Sequence, residues 1–456
     1  MIPPTASTRP IAPEARPMPS PWLYIISLYF PFGLMSAGLM VSLPNSLFKL
    51  LEFSNQQIGM LSGLGLVASL RFLFAPWLDG AATKRGLSIV TLLLSGAVAF
   101  SMAGITAFSV SPEFFLWAMV GALFLMAILS ASHETAADGY YIRALDPKLQ
   151  AQFIGVKTAS IRIGIITAST GLLLLATHLA ARSGATDITS VDKSGFHFGF
   201  AVAFALAGVI LIALAVYNYF MVPRIPQDEP VRHERFAILE VLREYLRQEK
   251  VALFVLFILL YRFGEGFLAM KGPFYLDSTS AGGLACQAGD LAYISLLAEL
   301  PWMIVGGILG GYIIKWFGLR RVFIPLALCM NIPNLLYVWL AVAQPQATIA
   351  LFGHNLNIAL LMSSSTEAIF YGMSFSAMFY YMHIMATESG RNKTSILAVS
   401  FAVMNLGWLV PGMMSGFVQA AIGYPGLFLV SSTVGLSALL LIPHLPMPQA
   451  EGSRQR

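Results

Sequence analysis

Apolar stretches of about 20 residues recur along the whole of this 456-residue chain, each long enough to cross a hydrocarbon layer roughly 30 Å thick. A backbone in lipid must satisfy its own N–H and C=O groups, so such stretches are expected as helices packed side by side. Apolar residues make up 57% of the sequence and charged residues 11%, and the mean hydropathy is +0.74. These values exclude disorder, and a soluble fold would need a dozen all-apolar helices in one core. Yet Asp138, Arg162, Arg262, Glu265, Glu299 and Glu367 fall within or at the ends of the apolar runs. Charges facing lipid are costly, so these groups are expected to line an internal path. The fold class expected is therefore an all-α polytopic membrane protein with a route through its centre, which points to transport.

Twelve spans are expected, at about 22–43, 57–77, 87–108, 113–137, 153–178 and 196–221, then 251–273, 288–313, 321–342, 362–386, 394–418 and 425–443. They fall into two pseudo-symmetric six-helix bundles, 22–221 and 251–443, joined by a cytoplasmic linker, 222–250. The linker mixes acids and bases, and from Arg235 to Lys250 it has the spacing of a surface helix. Residues 1–21, rich in Pro, Ala, Ser and Thr, read as a disordered tail, and 444–456 as a second tail. No cleaved signal peptide is expected. Segment 347–361 is ambiguous: it could lengthen the tenth span, form a short surface helix or re-enter the membrane. Pro31 and Pro301 lie inside spans, where bundled helices tolerate a kink.

Lysine and arginine set the orientation. With both termini in the cytoplasm, nineteen of the 27 basic residues fall on the cytoplasmic side. Lys49, Arg182, Lys193 and Lys271 are assigned to the opposite side, and four more lie in spans. This asymmetry accounts for the pI near 9.1 without invoking nucleic acid. Cys286 and Cys329 lie in separate apolar regions and form neither a disulfide framework nor a metal set. No phosphate-binding glycine loop with its lysine is present, so direct ATP drive has no support, and no cofactor is expected.

The halves echo each other. Pro76-Trp77-Leu78-Asp79-Gly80 and Lys84-Arg85-Gly86 follow the second span, and Gly310-Gly311-Tyr312 and Lys315 to Arg321 follow the eighth. Such internal repetition is the trace of repeated helical units. Asp79, Lys84, Arg85 and Arg320 are candidates for a conformational latch at the cytoplasmic end. The twelve spans, the 6+6 division and this loop resemble the major facilitators. Their loop motif carries a leading glycine, whereas this chain has Phe74-Ala75-Pro76 there.

Candidate working residues cluster in three spans. In the fourth, Glu134 and Asp138 stand four apart and so share a helix face, with Arg162 of the next span as the natural nearby cation. They form either an ion-pair cluster tying the two spans together or a proton- or substrate-linked pair. In the seventh, Tyr261-Arg262-Phe263-Gly264-Glu265-Gly266 sets Arg262 three residues before Glu265, and the glycines permit close approach or a local break. In the tenth, Ser364, Glu367 and Tyr371 give hydrogen-bonding and proton-carrying options, and Asn405 of the eleventh can line the path. Glu299, just before Pro301, is a further proton-site candidate or a kink stabiliser. Proton coupling is thus assigned to Asp138, Glu265, Glu367, Glu299 and Glu134. Substrate binding is assigned to Arg162, Arg262, Tyr261, Ser364, Tyr371 and Asn405. No metal site is expected.

Taken together, Arg71 to Asp79, Glu134-Thr135-Ala136-Ala137-Asp138-Gly139-Tyr140, Tyr261 to Gly266, and Glu367-Ala368 with Gly372-Met373 resemble the AmpG-like muropeptide permease and acetyl-coenzyme-A transporter branch of the major facilitators. The resemblance covers most of the membrane domain. It implies a proton-driven symporter of the cytoplasmic (inner) membrane that imports a polar or anionic solute such as a muropeptide. It also departs from that branch: Arg71 stands for a lysine, and Glu134 and Glu265 stand for aspartates. The extra C-terminal pair of spans seen in some permeases of the group is not expected. The partners implied are a small glycopeptide or carboxylate-bearing substrate, protons and membrane lipids, with no nucleic acid, on a monomer. The alternatives are a proton-antiporting exporter of a drug or siderophore-like compound, or a non-transporting membrane receptor. An enzyme is disfavoured, because no nucleophile–base pair or metal constellation emerges.

Overall fold

The computed structural model describes residues 20–69, 82–108, 111–145, 147–226, 228–229, 237–388 and 393–446. Six helical passes make the first half: Trp22–Leu50, the stretch from Asn55 to Ser69, Lys84–Phe108, Pro112–Ala144, Pro147 to Arg182, and Ser194–Met221. Six more follow: Val251–Leu276, Asp290–Phe317, Leu319–Ala343, Ile358–Glu388, and a long helix from Lys393 to Leu436 that Gly423 breaks into two. Nine of the described helices are long and apolar enough to cross a membrane. The second pass is described only through residue 69. The tenth is diluted by its own Ser363-to-Glu367 run. The last two register as one. The first, fourth, fifth, eighth and tenth passes run a turn or more past the expected bounds.

Small residues let these helices touch backbone to backbone. A Cβ on Gly33 would fall on the carbonyl of Ile161, and one on Gly164 on that of Phe30, so the first and fifth passes cross in direct contact. Their counterparts in the second half repeat the device. A Cβ on Gly266 would meet the Trp408 carbonyl, and one on Gly407 the Leu259 carbonyl, joining the seventh and eleventh passes. Three passes carry π-helical segments: Leu34–Ser42, Thr167–Leu172 and Ser295–Glu299. The third precedes Pro301, whose missing N–H leaves the Leu297 carbonyl without its usual donor. Such wide turns recur at functional sites.

We call the face bearing Trp22, Met221 and Val251 the terminal face and the opposite one the far face. At the terminal face Asp228 closes the first half. Its carboxylate accepts from the backbone N–H groups of Lys84 (2.7 Å) and Arg85 (2.8 Å) at the start of the third pass, and lies 3.4 Å from Arg143. An anion at a helix N-terminus satisfies donors the helix cannot. The surface helix expected in the linker is present as Ala237–Leu246. It docks on the second half through Tyr245, which is buried, accepts from Ser400 (3.4 Å) and meets the Phe254 ring.

Of segment 347–361, residues 358–361 lengthen the tenth pass, one of the three forms expected, and the rest takes a form not expected. It is a two-stranded antiparallel hairpin, Thr348–Leu351 with His354–Asn357, leading into the tenth pass. Its two-residue turn, Phe352-Gly353, has positive φ at both positions, the geometry that matches the twist of a tight hairpin. Phe352 tolerates this conformation with its ring stacked on Tyr293, 5.5 Å between centroids.

Candidate functional site

The seventh pass is not one straight helix. It ends a first segment at Tyr261, turns through Arg262 (φ −99°, ψ 0°), and resumes through Phe263–Gly266, a tight turn at Phe267–Met270 and Lys271–Leu276. This broken course rotates Lys271 into the bundle. Its ammonium lies 3.2 Å from Glu299 and 3.0 Å from Glu367, and 5.3 Å from the centre of the Tyr337 ring. The sequence had counted Lys271, near the end of the expected seventh span, with the basic groups of the opposite side of the membrane; the structure makes it instead a bridge between passes seven, eight and ten. Glu299 belongs to the π-helical segment and also accepts from Ser295, 2.9 Å away. Beside the triad, the hydroxyls of Tyr275, Tyr337 and Ser364 form a triangle with edges of 3.3 to 3.4 Å. One cation thus faces two carboxylates in a sheltered site, leaving one negative charge over when both acids are ionised.

Arg262 and Glu265 form a separate unit. The guanidinium donates twice to the carboxylate, each bond 2.6 Å, and both residues are 8% exposed. Phe375 lies under the guanidinium at 5.3 Å and stacks on Tyr371. Asn405 is at the outer edge of hydrogen-bond reach, 3.5 Å. This two-pronged pairing is the strong form of a charge-assisted bond. In this conformation, then, the acid three residues on neutralises Arg262. Tyr261 is turned away, its hydroxyl bonded to Ser374 at 2.6 Å.

In the first half, Asp138 accepts from the Tyr29 hydroxyl (2.8 Å) and pairs with Lys157 (2.6 Å). The Lys157 ammonium also lies over the Tyr29 ring at 4.7 Å. The cation beside Asp138 is therefore Lys157, and the expected pairing with Arg162 is not made. The helix begins at Pro147 rather than near 153, and Lys157 is the basic group that comes level with Asp138. Arg162, half-buried, has no ion-pair or hydrogen-bond partner among the described residues. Glu134 is half-buried one turn before Asp138. Just before Glu134, His133, fully buried, links three passes: Nε2 is 2.8 Å from the Leu28 carbonyl, and Nδ1 is 3.2 Å from the Thr91 hydroxyl.

Of the latch residues, Asp79 lies outside the described residues. Arg85 bonds the carbonyls of Val222 (2.7 Å) and Tyr219 (2.5 Å), closing the end of the sixth pass. The Lys84 side chain is buried across Gly139. These contacts stay within the first half, and Arg320 is exposed. Among the described residues, no cluster of three or more metal-ligating side chains occurs. Lys271, Tyr275, Tyr337 and Lys157 are the site residues sequence reasoning missed. The signal that could have found Lys271 is that Glu299 and Glu367, on neighbouring passes, had no assigned cation; Asp138 had been given Arg162.

No family model matches the chain. Its curated relatives include the candidate transporter AmpG 2 of Rickettsia prowazekii (strain Madrid E), 22% identical over 433 residues, covering 93% of this chain and 95% of the relative. The candidate transporter AmpG 1 of Rickettsia bellii (strain RML369-C) is 22% identical over 430 residues, covering 91% and 97%. Among solved structures, the nucleoside transporter NupG superposes with a TM-score of 0.61 at 14% identity over 93% of this chain and 98% of that one. The inward-open xylose transporter XylE from E. coli gives 0.61 at 14% identity over 95% and 97%. These folds are twelve-helix major facilitators, and the end-to-end relatives are transporters rather than enzymes. The chain is a multi-pass membrane protein with the fold of the major facilitators, a secondary transporter similar along its length to AmpG transporters.

Proposed function

We propose that the chain is a proton-coupled importer of a polar, carboxylate-bearing solute, such as an anhydro-muropeptide or a related cell-wall fragment. The observation that carries this reading is the triad of Lys271 with Glu299 and Glu367. Two carboxylates sharing one lysine hold an excess negative charge that a single proton cancels. Binding that proton removes one ion pair between passes and leaves the other in place. The bundle is thereby given two pairings of similar cost, as a two-state carrier requires. Arg162, half-buried and unpaired among the described residues, supplies the cation for the solute's carboxylate. The hydroxyls of Tyr275, Tyr337 and Ser364 offer further donors and acceptors beside the triad. A proton carried with a monoanion moves no net charge, so the membrane potential, worth about 2.3 kcal/mol per charge per 100 mV, does not act on that cycle.

In this reading, the two six-helix halves, 22–221 and 251–443, rock about the central path. The terminal face is cytoplasmic, on the inner membrane, since it carries most of the basic residues outside the spans. Moving Lys271 into the path sharpens that bias by one. The protein works as a monomer without a cofactor. The test is uptake of labelled anhydro-muropeptide by sealed vesicles holding the purified protein, with and without an imposed pH gradient. Import coupled to protons predicts accumulation only with the acidic side outside. It also predicts that Glu367→Gln binds the solute but no longer accumulates it. Accumulation driven by the reverse gradient would mean an antiporting exporter.

A further inference from the structure

At the far face the halves are joined by one connected cluster. Lys49, at the end of the first pass, pairs with Asp277, at the end of the seventh, at 2.6 Å, with both side chains largely buried. Lys49 also donates to Asn55 (2.8 Å). The Asn55 amide in turn reaches Gln419 (3.0 Å), the Tyr424 hydroxyl (2.9 Å) and, weakly, Asp277 (3.4 Å). Tyr424, just past the Gly423 break, donates to Asp277 at 2.5 Å. Beneath this cluster the second and eleventh passes touch without intervening side chains: a Cβ on Gly416 would fall on the Asn55 carbonyl. A further bond across the halves, from the Ala288 N–H to the Thr186 carbonyl (3.1 Å), also lies at the far face.

We propose that Lys49 and Asp277, with Asn55, Gln419 and Tyr424, form the lock of the far-face gate, and that solute enters only when this pair separates. This rests on the alternating-access reading above but not on the choice of proton site or solute. Three observations carry it. The pair joins two halves that must part. It is buried, so losing either partner strands a charge and weakens closure rather than leaving it neutral. It also borders a cavity of about 430 Å³ lined by Lys49, Glu52, Asn55, Asp277 and Gln419. Water in that cavity can solvate both ions as they part, which lets a strong closed contact open without a large desolvation barrier. The close glycine contact supplies the flat surface on which the two halves seat.

The experiment reads access rather than transport. In a background carrying Cys286→Ser and Cys329→Ser, Asn405→Cys reports the central path to a membrane-impermeant thiol reagent added at either face. Lys49→Met and Asp277→Asn should each raise the far-face labelling rate about tenfold or more, the scale of a modest shift between two states. The exchanged pair Lys49→Asp with Asp277→Lys should bring it back toward the parent. Should the single variants fold poorly, a reversible cross-link between Lys49→Cys and Asp277→Cys should abolish far-face labelling until reductant is added. Unchanged far-face rates in well-folded single variants, or continued far-face labelling through the cross-link, would overturn the proposal. A lock that behaves as described in a protein that takes up no muropeptide would leave this inference standing and remove only the substrate assigned above.

Discussion

Replacing Lys271 by methionine keeps the length and apolar stem of the side chain and removes its charge. The two carboxylate oxygens lie 3.0 and 3.2 Å from the same nitrogen, and so within about 6 Å of each other. At an effective dielectric near 20, each attraction to the lysine is worth about 5 kcal/mol, and two bare carboxylates 6 Å apart repel by about 3 kcal/mol. Without the lysine this repulsion is no longer offset, so ionising the second acid costs about 3 kcal/mol more than ionising one alone. Removing one partner of a buried ion pair costs about 3–5 kcal/mol, which bounds the loss of stability. We expect Lys271→Met to unfold several degrees earlier in detergent and to lose gradient-driven accumulation while still exchanging solute at equal pH. Adding Glu299→Gln and Glu367→Gln to it should restore most of the unfolding temperature but not the accumulation. The reasoning fails if Lys271→Met matches the parent in both unfolding temperature and gradient-driven uptake.

Arg162→Gln should raise the KM for a carboxylate-bearing solute by about tenfold or more, the effect of losing one charged contact, while uptake of its methyl ester stays near the parent value; equal losses for both would assign Arg162 a structural role. His133→Leu leaves the Leu28 carbonyl and the Thr91 hydroxyl without their buried partner and should cost about 1–3 kcal/mol, read as an earlier thermal transition, with coupling intact in the folded fraction. Gly372→Val should sharply lower the yield of folded protein, because even a Cβ there would fall on the Met303 carbonyl of the neighbouring pass.

The architecture was legible because lipid imposes a single rule on every span, and the apolar runs obey it. Local pairs were legible too. Arg262 and Glu265 stand three apart, and they bond as that spacing allows. What the sequence hid is contact between passes. Met270-Lys271-Gly272-Pro273 closes the expected seventh span, 251–273, since Gly and Pro punctuate chains, and so Lys271 read as a group of the outer end. Here the proline sits early in the short helix Lys271–Leu276, where its missing N–H costs little, so the lysine stays within the span. Lys157 was overlooked for Arg162 although both lay within the expected fifth span, because Asp138 pairs by depth rather than by order. The hairpin at 348–357 was obscured by its turn, since Phe-Gly is not a residue pair that advertises positive φ.

The attachment of the linker limits how far this machine can gape. Asp228 ties the chain to the first half, and Tyr245 anchors the surface helix to the second. Between those two anchored stretches, Glu229 and Ala237 stand eight residues apart in a connection that reads as 29 residues long, a separation of about 29 Å at full extension. The linker is thus a short leash, and shortening it by a few residues should restrict the wide-open posture before it affects the closed one.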